Sequence, residues 1–424
     1  MLSSSSTEYR DSLLRYVTDF FTSVRFYERG ELLPSRIKQF LSDRPAKDNA
    51  FAVYDAYLDT YRTPGLSILF ERMREFEEQV APTLPHHRDH YVHSVQTFLL
   101  GLAIYHRNQI LREIATRAFT YQDSYPCPQE EFLYRWGLTA LFHDIGYPVE
   151  IAYAAIQEYA RLALVPAFDV TANSPEREAA PSTDHPVFSL AIENLDRLLY
   201  INQLWPQPTE EAAFLAKYPD FASYLGTDIL LLLAGNLAWR FKVLEQESLA
   251  RTLRDSLMRG MSQGCVDHGL LSAIILLKWV GTLHLRSKWN PAYFYFPVMD
   301  AAAGILLHNA YGYCLMRYPF NLEPLMPTTH VLGYLLSLCD HLQEAERQEY
   351  GFCAKHGNLS LRATSLSITD SALVLQFAAN GPDDDYERLL DRVRSCEGSI
   401  RSVLALQHLF PDFHLDAVRA PTDD

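Results

Sequence analysis

Apolar residues recur at steps of three and four along most of the chain, and this spacing predicts helices. The segments that carry it are residues 8–28, 66–80, 89–113, 130–145, 226–242, 268–284, 298–314 and 328–347. The stretches between them are rich in Pro, Gly and Asp, which interrupt helices. One of these stretches, DVTANSPEREAAPSTDHP at 169–186, predicts an exposed loop. The pattern therefore predicts a mainly α fold.

The pattern changes near residue 357, where polar and apolar residues alternate in GNLSLRATSLSITDSALVLQFAANGPDDD. Alternation with Thr, Ser, Val and Leu is typical of strands, so LSLRAT and ALVLQFAA are predicted to form a β-hairpin that turns near SITDS. A helix is predicted next, at DYERLLDRVRSCEG. Residues 351–424 are thus predicted to form a small α+β appendage on a helical body.

Composition narrows the class of protein. The chain has 424 residues, of which 48% are hydrophobic and 21% are charged, and this is typical of a soluble globular protein with one large domain or two to three smaller ones. The formal net charge of -15 argues against a broad nucleic-acid or anionic-membrane surface. It does not exclude a polyanionic small substrate, because a metal ion and a few Arg residues can invert the potential inside a pocket.

Cysteine spacing and apolar runs add two further expectations. The six cysteines have no zinc-like spacing, and most lie in apolar runs, so they are predicted to be reduced core thiols. The N-terminal residues do not have the pattern of a signal peptide. The strongest apolar stretches are too short or interrupted by Lys278, so a cytoplasmic protein without a membrane partner is predicted.

Candidate chemistry lies where His and Asp fall on the apolar faces of five predicted helices. Burying such a group is unfavourable unless a partner satisfies it, and five such segments in one chain make isolated hydrogen-bonded core residues a poor explanation. The question is sharpest in LTALFHDIGYPVEIA, where His143 and Asp144 end an apolar run just before Gly146. The residues of the set are His90, His93, His143, Asp144, Asp267, His268, His308, Asp340 and His341.

The ordered set resembles the HD superfamily of metal-dependent phosphohydrolases over roughly residues 85–350. That family places a His on one helix, an adjacent His-Asp pair on the next and a distal Asp on a later helix. The matching residues are His93, His143, Asp144 and Asp340. Members with two metals add two His residues between the pair and the last Asp, and His268 and His308 fall in that order. Asn309 departs from the HD-GYP phosphodiesterases, which have a second His at that position.

The resemblance implies an HD-type helical bundle, with an N-terminal helical segment at 1–84, the HD-type domain at 85–350 and the α+β region at 351–424. More residues separate the His-Asp pair from His268 than a compact bundle needs, so 151–250 is predicted to be a helical insertion. One or two divalent ions (Mn, Fe, Co, Ni, Zn or Mg) are implied as cofactors, because mixed His and carboxylate ligands suit these metals. Asp144 and His268 are expected to serve catalysis as well as metal binding.

Several assignments stay open at this stage. His185 is an alternative ligand to His268, and Asp267 either orients His268 or caps its helix. Substrate contacts are considered for four residues, each with a surface role as the alternative: Arg88, His90, Lys278 and Arg347.

The expected activity is hydrolysis of a nucleotide-like phosphate ester by metal-activated water, as a phosphodiesterase. The alternatives are a deoxynucleoside triphosphohydrolase and a non-catalytic nucleotide-binding signalling protein on an HD-like bundle. A helical bundle without any ligand is a further alternative. The C-terminal hairpin is considered either as a lid or as a strand donor to a partner's sheet, and a homo-oligomer is considered possible.

Overall fold

The computed structural model describes residues 5–24, 31–42, 47–79, 90–119, 128–151, 199, 208–217, 228–263, 266–286, 294–344, 361–379 and 383–419. Within these ranges the chain is mainly helical and carries a small sheet near its C-terminus. The mainly α expectation and the small C-terminal α+β region are therefore confirmed. The predicted loop at 169–186 and most of the predicted insertion at 151–250 lie outside the described residues.

The helices are numbered in chain order. They are α1 (Ser5–Ser23), α2 (Leu32–Ser42), α3 (Lys47–Thr60), α4 (Ser67–Gln79), α5 (His90–Arg107), α6 (Gln109–Phe119), α7 (Pro128–Phe142), α8 (Pro208–Lys217), α9 (Ile229–Phe241), α10 (Gln246–Gln263), α11 (His268–Arg286), α12 (Met299–Ala310), α13 (Val331–Glu344) and α14 (Asp383–Val403). Short π-helical turns flank α12 at Phe294–Val298 and Tyr311–Leu315. The strands are β1 (Leu361–Ile368), β2 (Ala372–Ala379) and β3 (Asp412–Arg419).

The chain forms two compact units. The first contains Met1–Asp144 and Leu307–Asp424, and the second contains Ile145–Leu306. The first unit therefore joins the two ends of the chain, whereas the three regions predicted from the sequence follow one another along it. That three-region division stays a prediction.

Helix α5 is the central element of the first unit. It packs against α1, α3, α7 and α13. Fifteen of its residues are buried, from His90 to Tyr105 with one exception, as expected for a helix that neighbours surround on all sides. Polar side chains on α5 are therefore placed inside the core, which makes its histidines candidates for function.

Asn108 divides the helix that the sequence predicts at 89–113. Its side-chain oxygen accepts from the backbone N–H of Leu111 at 2.7 Å, as an N-cap does, and α6 begins there. Its amide nitrogen donates to the carbonyl oxygens of Asp370 and Leu409 at 3.1 and 3.2 Å. The prediction of a single long helix was wrong. A fully buried Asn satisfies three backbone groups at this point, and so one helix ends and the next begins there.

The C-terminal sheet has the order β1-β2-β3. β1 and β2 are antiparallel and form the predicted hairpin, and its turn is fastened by Thr369, whose hydroxyl accepts from the N–H of Ala372 at 2.9 Å. β3 pairs with β2 in parallel, which requires a crossover connection, and α14 supplies it. The helix predicted at DYERLLDRVRSCEG is confirmed by α14, but the sequence analysis missed β3.

Candidate metal centre

The His-Asp pair follows α7 directly. Residues 143–146 form a turn after Phe142, and both His143 and Asp144 are buried. α7 reaches this depth because Gly101 of α5 leaves room for Trp136 of α7, whose indole N–H donates to the carbonyl oxygen of Phe98 at 2.8 Å. The close approach of α5 and α7 places the end of α7 beside the His-bearing face of α5.

The two ring nitrogens of His143 have different surroundings. Nδ1 lies 2.8 Å from the carbonyl oxygen of Ala140 and 3.4 Å from the hydroxyl of Ser94, which itself donates to the carbonyl oxygen of His90. A carbonyl oxygen can only accept, so Nδ1 carries the proton. In the neutral ring, Nε2 therefore presents a lone pair.

That lone pair faces two carboxylates. Nε2 of His143 lies 3.5 Å from Oδ1 of Asp144 and 3.6 Å from Oδ1 of Asp340. Both distances exceed those of an N–H···O hydrogen bond, and among the residues that the structure describes Nε2 has no hydrogen-bond partner. A buried lone pair beside two acceptors is unfavourable unless a cation lies between them.

His93 and His308 complete the surroundings of this atom. Nε2 of His93 lies 2.8 Å from Oδ1 of Asp340, which links α5 to α13. The ring of His308, on α12, lies edge-on to the ring of His143 at a centroid distance of 5.3 Å. All five side chains belong to the first unit, although His93 and Asp340 are 247 positions apart in the sequence.

The five side chains form two groups of the size that a metal ion requires. His93, His143 and Asp340 are one group, and His143, Asp144 and His308 are the other; within each, the ligand atoms lie within 4.8 Å of one another. With neutral imidazoles the two carboxylates carry two negative charges, which one divalent ion would balance. Nitrogen and carboxylate oxygen donors without thiolate suit Mn, Fe, Co, Ni, Zn or Mg. The donor set fits the implied cofactor.

The protonation of the cluster follows from its charges. Burial lowers the pKa of His143, but the carboxylates of Asp144 and Asp340 outweigh burial, so the pKa lies above its usual range. Burial raises the pKa of Asp340, but His143 and His93 outweigh burial and hold that pKa well below its usual range. Without a metal ion, the proton on His143 takes the place of the cation.

The cluster meets solvent at one residue. The side chains of His93, His143 and Asp144 are at most 3% exposed, whereas that of Asp340 is 21% exposed. The cluster is therefore accessible to solvent on the side of Asp340.

His268 belongs to the second unit and to neither metal-type group among the described residues. It begins α11, and its Nδ1 lies 2.8 Å from Oε2 of Glu150. Asp267 caps α11 by accepting from the backbone N–H of Leu270 at 2.6 Å, in agreement with the N-cap alternative. The assignment of His268 as a ligand and catalytic residue stays a prediction.

Gly146 allows the turn that follows the His-Asp pair to pack closely against a neighbouring helix. Its N–H donates to the hydroxyl of Ser272 on α11 at 2.8 Å. A Cβ at this position would lie 2.6 Å from the carbonyl oxygen of His268, closer than real Cβ contacts allow. Glycine is therefore needed here because the backbone runs against the first turn of α11.

Of the residues considered for substrate binding, the structure describes His90, in the first unit, and Lys278, in the second. His90 is buried; its backbone N–H donates to Oε1 of Glu77, and its Nδ1 lies 3.3 Å from the same oxygen. Lys278 is half-buried in the second unit, and burial lowers its pKa. Arg88, Arg347 and His185 lie outside the described residues, so their assignments stay predictions.

Sequence analysis missed three polar residues that contact the candidate His residues. Ser94 lies beside Nδ1 of His143, Glu77 of α4 is a fully buried carboxylate that contacts His90, and Glu150 contacts His268. An available signal for Ser94 was its place immediately after His93 on an otherwise apolar helix. Glu77 and Glu150 had no signal, because a Glu within a polar stretch is normally solvated.

No protein-family model, curated protein or solved structure matches this chain. The likeness to the HD superfamily therefore rests on the ordered His and Asp residues alone. Among the helices that the structure describes, none combines the length and the apolar character needed to cross a membrane.

Proposed function

We propose that this chain is a metal-dependent phosphohydrolase acting on a nucleotide-like phosphate ester. The observation that carries the proposal is the buried Nε2 of His143, whose lone pair faces the carboxylates of Asp144 and Asp340. With His143 neutral, three acceptor atoms lie against one another, and a cation between them offsets the cost of burying them. The ordered resemblance to the HD superfamily supplies the reaction class.

The residues that would hold the metal are His93, His143, Asp144, His308 and Asp340. When bound, a divalent ion there polarises a phosphoryl oxygen and acidifies a water molecule beside it. The carbonyl oxygen of Ala140 keeps the proton of His143 on Nδ1, so that Nε2 stays available as a donor to the ion. The surrounding apolar helices exclude bulk water from all of the cluster except the Asp340 side.

A phosphodiesterase is favoured over a deoxynucleoside triphosphohydrolase by the position of His308. The four-residue set of one-metal members needs His93, His143, Asp144 and Asp340. Here a fifth side chain, His308, lies within the same cluster, and it is one of the two additional His residues that the two-metal resemblance implies. Five donor residues exceed the three or four protein ligands that a single catalytic ion usually takes.

The test is the metal content and activity of two purified proteins, the wild type and Asp144→Ala. We expect about two divalent ions per wild-type chain, and Mn-dependent cleavage of bis-p-nitrophenyl phosphate, both lost in the variant. Asp412→Ala is the matched control, because it removes an exposed carboxylate of the same unit and is expected to keep metal and activity.

Each other outcome has a distinct meaning. About one ion per chain would favour the triphosphohydrolase reading. Metal binding without turnover of any phosphate ester would favour the nucleotide-binding signalling protein. A wild-type protein that takes up no metal under any supplementation, with a variant of unchanged stability, would overturn the proposal.

A further inference from the structure

The outer edge of the C-terminal sheet at β3 is covered by side chains of α14. In a parallel pair, the N–H and C=O groups of alternate residues point to the neighbouring strand, and those between them point away. The N–H of Asp412 donates to the carbonyl oxygen of Ser371, directly before β2, so the even-numbered residues of β3 face β2. The backbone groups of Phe413, Leu415 and Ala417 therefore point outward.

Three side chains of α14 bond to these outward groups. Nη2 of Arg401 donates to the carbonyl oxygen of Phe413 at 2.6 Å. Oε2 of Glu397 accepts from the N–H of Leu415 at 3.1 Å. The hydroxyl of Tyr386 donates to the carbonyl oxygen of Ala417 at 3.2 Å. One helix thus supplies a partner at three successive outward positions, which we name the edge guard: Tyr386, Glu397 and Arg401.

The guard is held in place by contacts within itself and with β3. Nε of Arg401 lies 2.7 Å from Oε1 of Glu397, so each side chain uses its remaining atoms for the strand. The guanidinium of Arg401 lies over the ring of Phe413 at 5.4 Å, and that of Arg419 lies over the ring of Tyr386 at 4.9 Å. Glu397 and Arg401 are 23% and 44% exposed, so the guard lies where an incoming strand would approach.

An unguarded edge of eight residues would be a template for another chain, since its outward N–H and C=O groups are ready for a new ladder. A strand can add only if those groups are released from their present partners. We propose that the edge guard closes β3 to strand addition by a second copy of this chain. The role is independent of the proposed hydrolase activity, because no guard residue belongs to the metal cluster.

The test is the variant Glu397→Ala/Arg401→Ala in the full chain, examined by sedimentation velocity over about a hundredfold range of protein concentration. We expect an added association step, with a self-dissociation constant lowered by about tenfold or more relative to the wild type. In dilute samples, where the variant is unassociated, we expect the Leu415 amide to exchange with deuterium about tenfold faster.

Two further variants exclude other causes of association. Asp391→Ala/Arg394→Ala removes the same charges from exposed positions of α14 and is expected to sediment as the wild type does. Ala417→Pro, added to the double variant, removes an outward N–H without breaking the β2 ladder and should abolish the new association. If the double variant fails to fold, Tyr386→Phe releases a single carbonyl oxygen and should produce a smaller shift in the same direction.

The proposal is overturned if the double variant opens the edge, as deuterium exchange reports, and still sediments as the wild type does. It is also overturned if the control pair associates equally or if proline leaves the association unchanged. An unfolded double variant together with a Tyr386→Phe protein that sediments as the wild type does would overturn it as well.

Discussion

At the scale of single residues, the two ring nitrogens of His143 have different roles: Nδ1 carries the proton and Nε2 presents a lone pair. A backbone carbonyl at Ala140 holds the proton on Nδ1, and this determines what Nε2 can do. The same imidazole with the opposite tautomer would donate to a carboxylate and form an ordinary buried pair. The hydrogen bond from Nδ1 to the carbonyl oxygen of Ala140 is thus the reason that a cation is favourable in the cluster.

The pH dependence of metal binding follows from the raised pKa of His143. Below its ordinary value of 6.5 the ring is protonated in both the folded and the unfolded chain, and its interaction with the two carboxylates stabilises the metal-free protein. That contribution is lost as pH rises through the raised pKa, whereas a metal ion needs the neutral ring. We therefore expect Mn affinity to rise with pH, by up to about tenfold per unit until the ring is neutral.

The measurement is calorimetric titration with Mn at several pH values, in buffers of different ionisation enthalpy to count the released protons. Asp340 does not contribute to this slope, because its pKa is held well below its usual range and the carboxylate stays ionised. His414→Ala, which removes an exposed His of the same unit, is expected to leave the profile unchanged. An affinity that is flat over the whole range would contradict the assignment of His143.

Much of the cluster was accessible from the sequence because its residues are polar groups on apolar helices. His93, His143, Asp144, His308 and Asp340 were singled out as one set, and the structure brings them together in the first unit. That they bind metal stays a prediction. His268 shows the same pattern in the sequence but lies in the second unit. Helical periodicity indicates which residues are buried, and it does not indicate which neighbours they are buried against.

At the scale of secondary-structure elements, small residues set the spacing of the helices that carry the cluster. Gly101 of α5 lies against the indole of Trp136 on α7, and Gly137 lies against the ring of Tyr57 on α3. Each glycine lies inside a helix, where it lowers the intrinsic helix stability. The close packing of α3, α5 and α7 offsets that loss and aligns His93 with His143.

We predict that Gly101→Ala destabilises the protein by about 1–3 kcal/mol, since the added methyl group must displace Trp136. The same change at Gly398 of α14 meets nothing within 4 Å, so Gly398→Ala should stabilise by about 0.5–1 kcal/mol. Urea-unfolding midpoints of the two variants measure the contrast. Equal effects of the two substitutions would contradict this account of helix spacing.

The boundaries of helices and strands were harder to predict from the sequence than whether a segment is a helix or a strand. The strong periodic segments became helices, but Asn108 divided one of them because its partners lie more than 260 residues away in the sequence. Helices α2, α3, α8 and α10 were not among the predicted periodic segments, although α2 and α3 lie in the predicted N-terminal helical segment and α8 lies in the predicted insertion; β3 was missed. In β3 the alternation is short and its strand pairing depends on α14 returning the chain beside β2, which no local pattern records.

At the scale of the whole molecule, a metal ion in the cluster would connect helices from distant parts of the sequence. The five candidate ligands come from α5, the end of α7, α12 and α13. Because a preformed site exists only in the folded chain, the binding free energy adds to stability.

We predict that Mn at about a hundredfold above its dissociation constant stabilises the folded protein by about 2.7 kcal/mol, a rise of about 3 °C in the unfolding midpoint for a chain of 424 residues. Asp340→Asn should abolish the rise, while Asp412→Asn, at an exposed position of β3, should retain it. Differential scanning calorimetry with and without chelator makes the comparison. A rise of equal size in the Asp340→Asn protein would place the ion elsewhere.

The packing of α1 against β1 has a consequence for the order of events during synthesis. Helix α1 also packs against α5, so it has a partner as soon as that helix is made, but its contact with β1 must wait until the strand that begins at Leu361 has left the ribosome. The second unit is one continuous stretch, Ile145–Leu306. We therefore expect the second unit to complete its structure during synthesis before the first unit does.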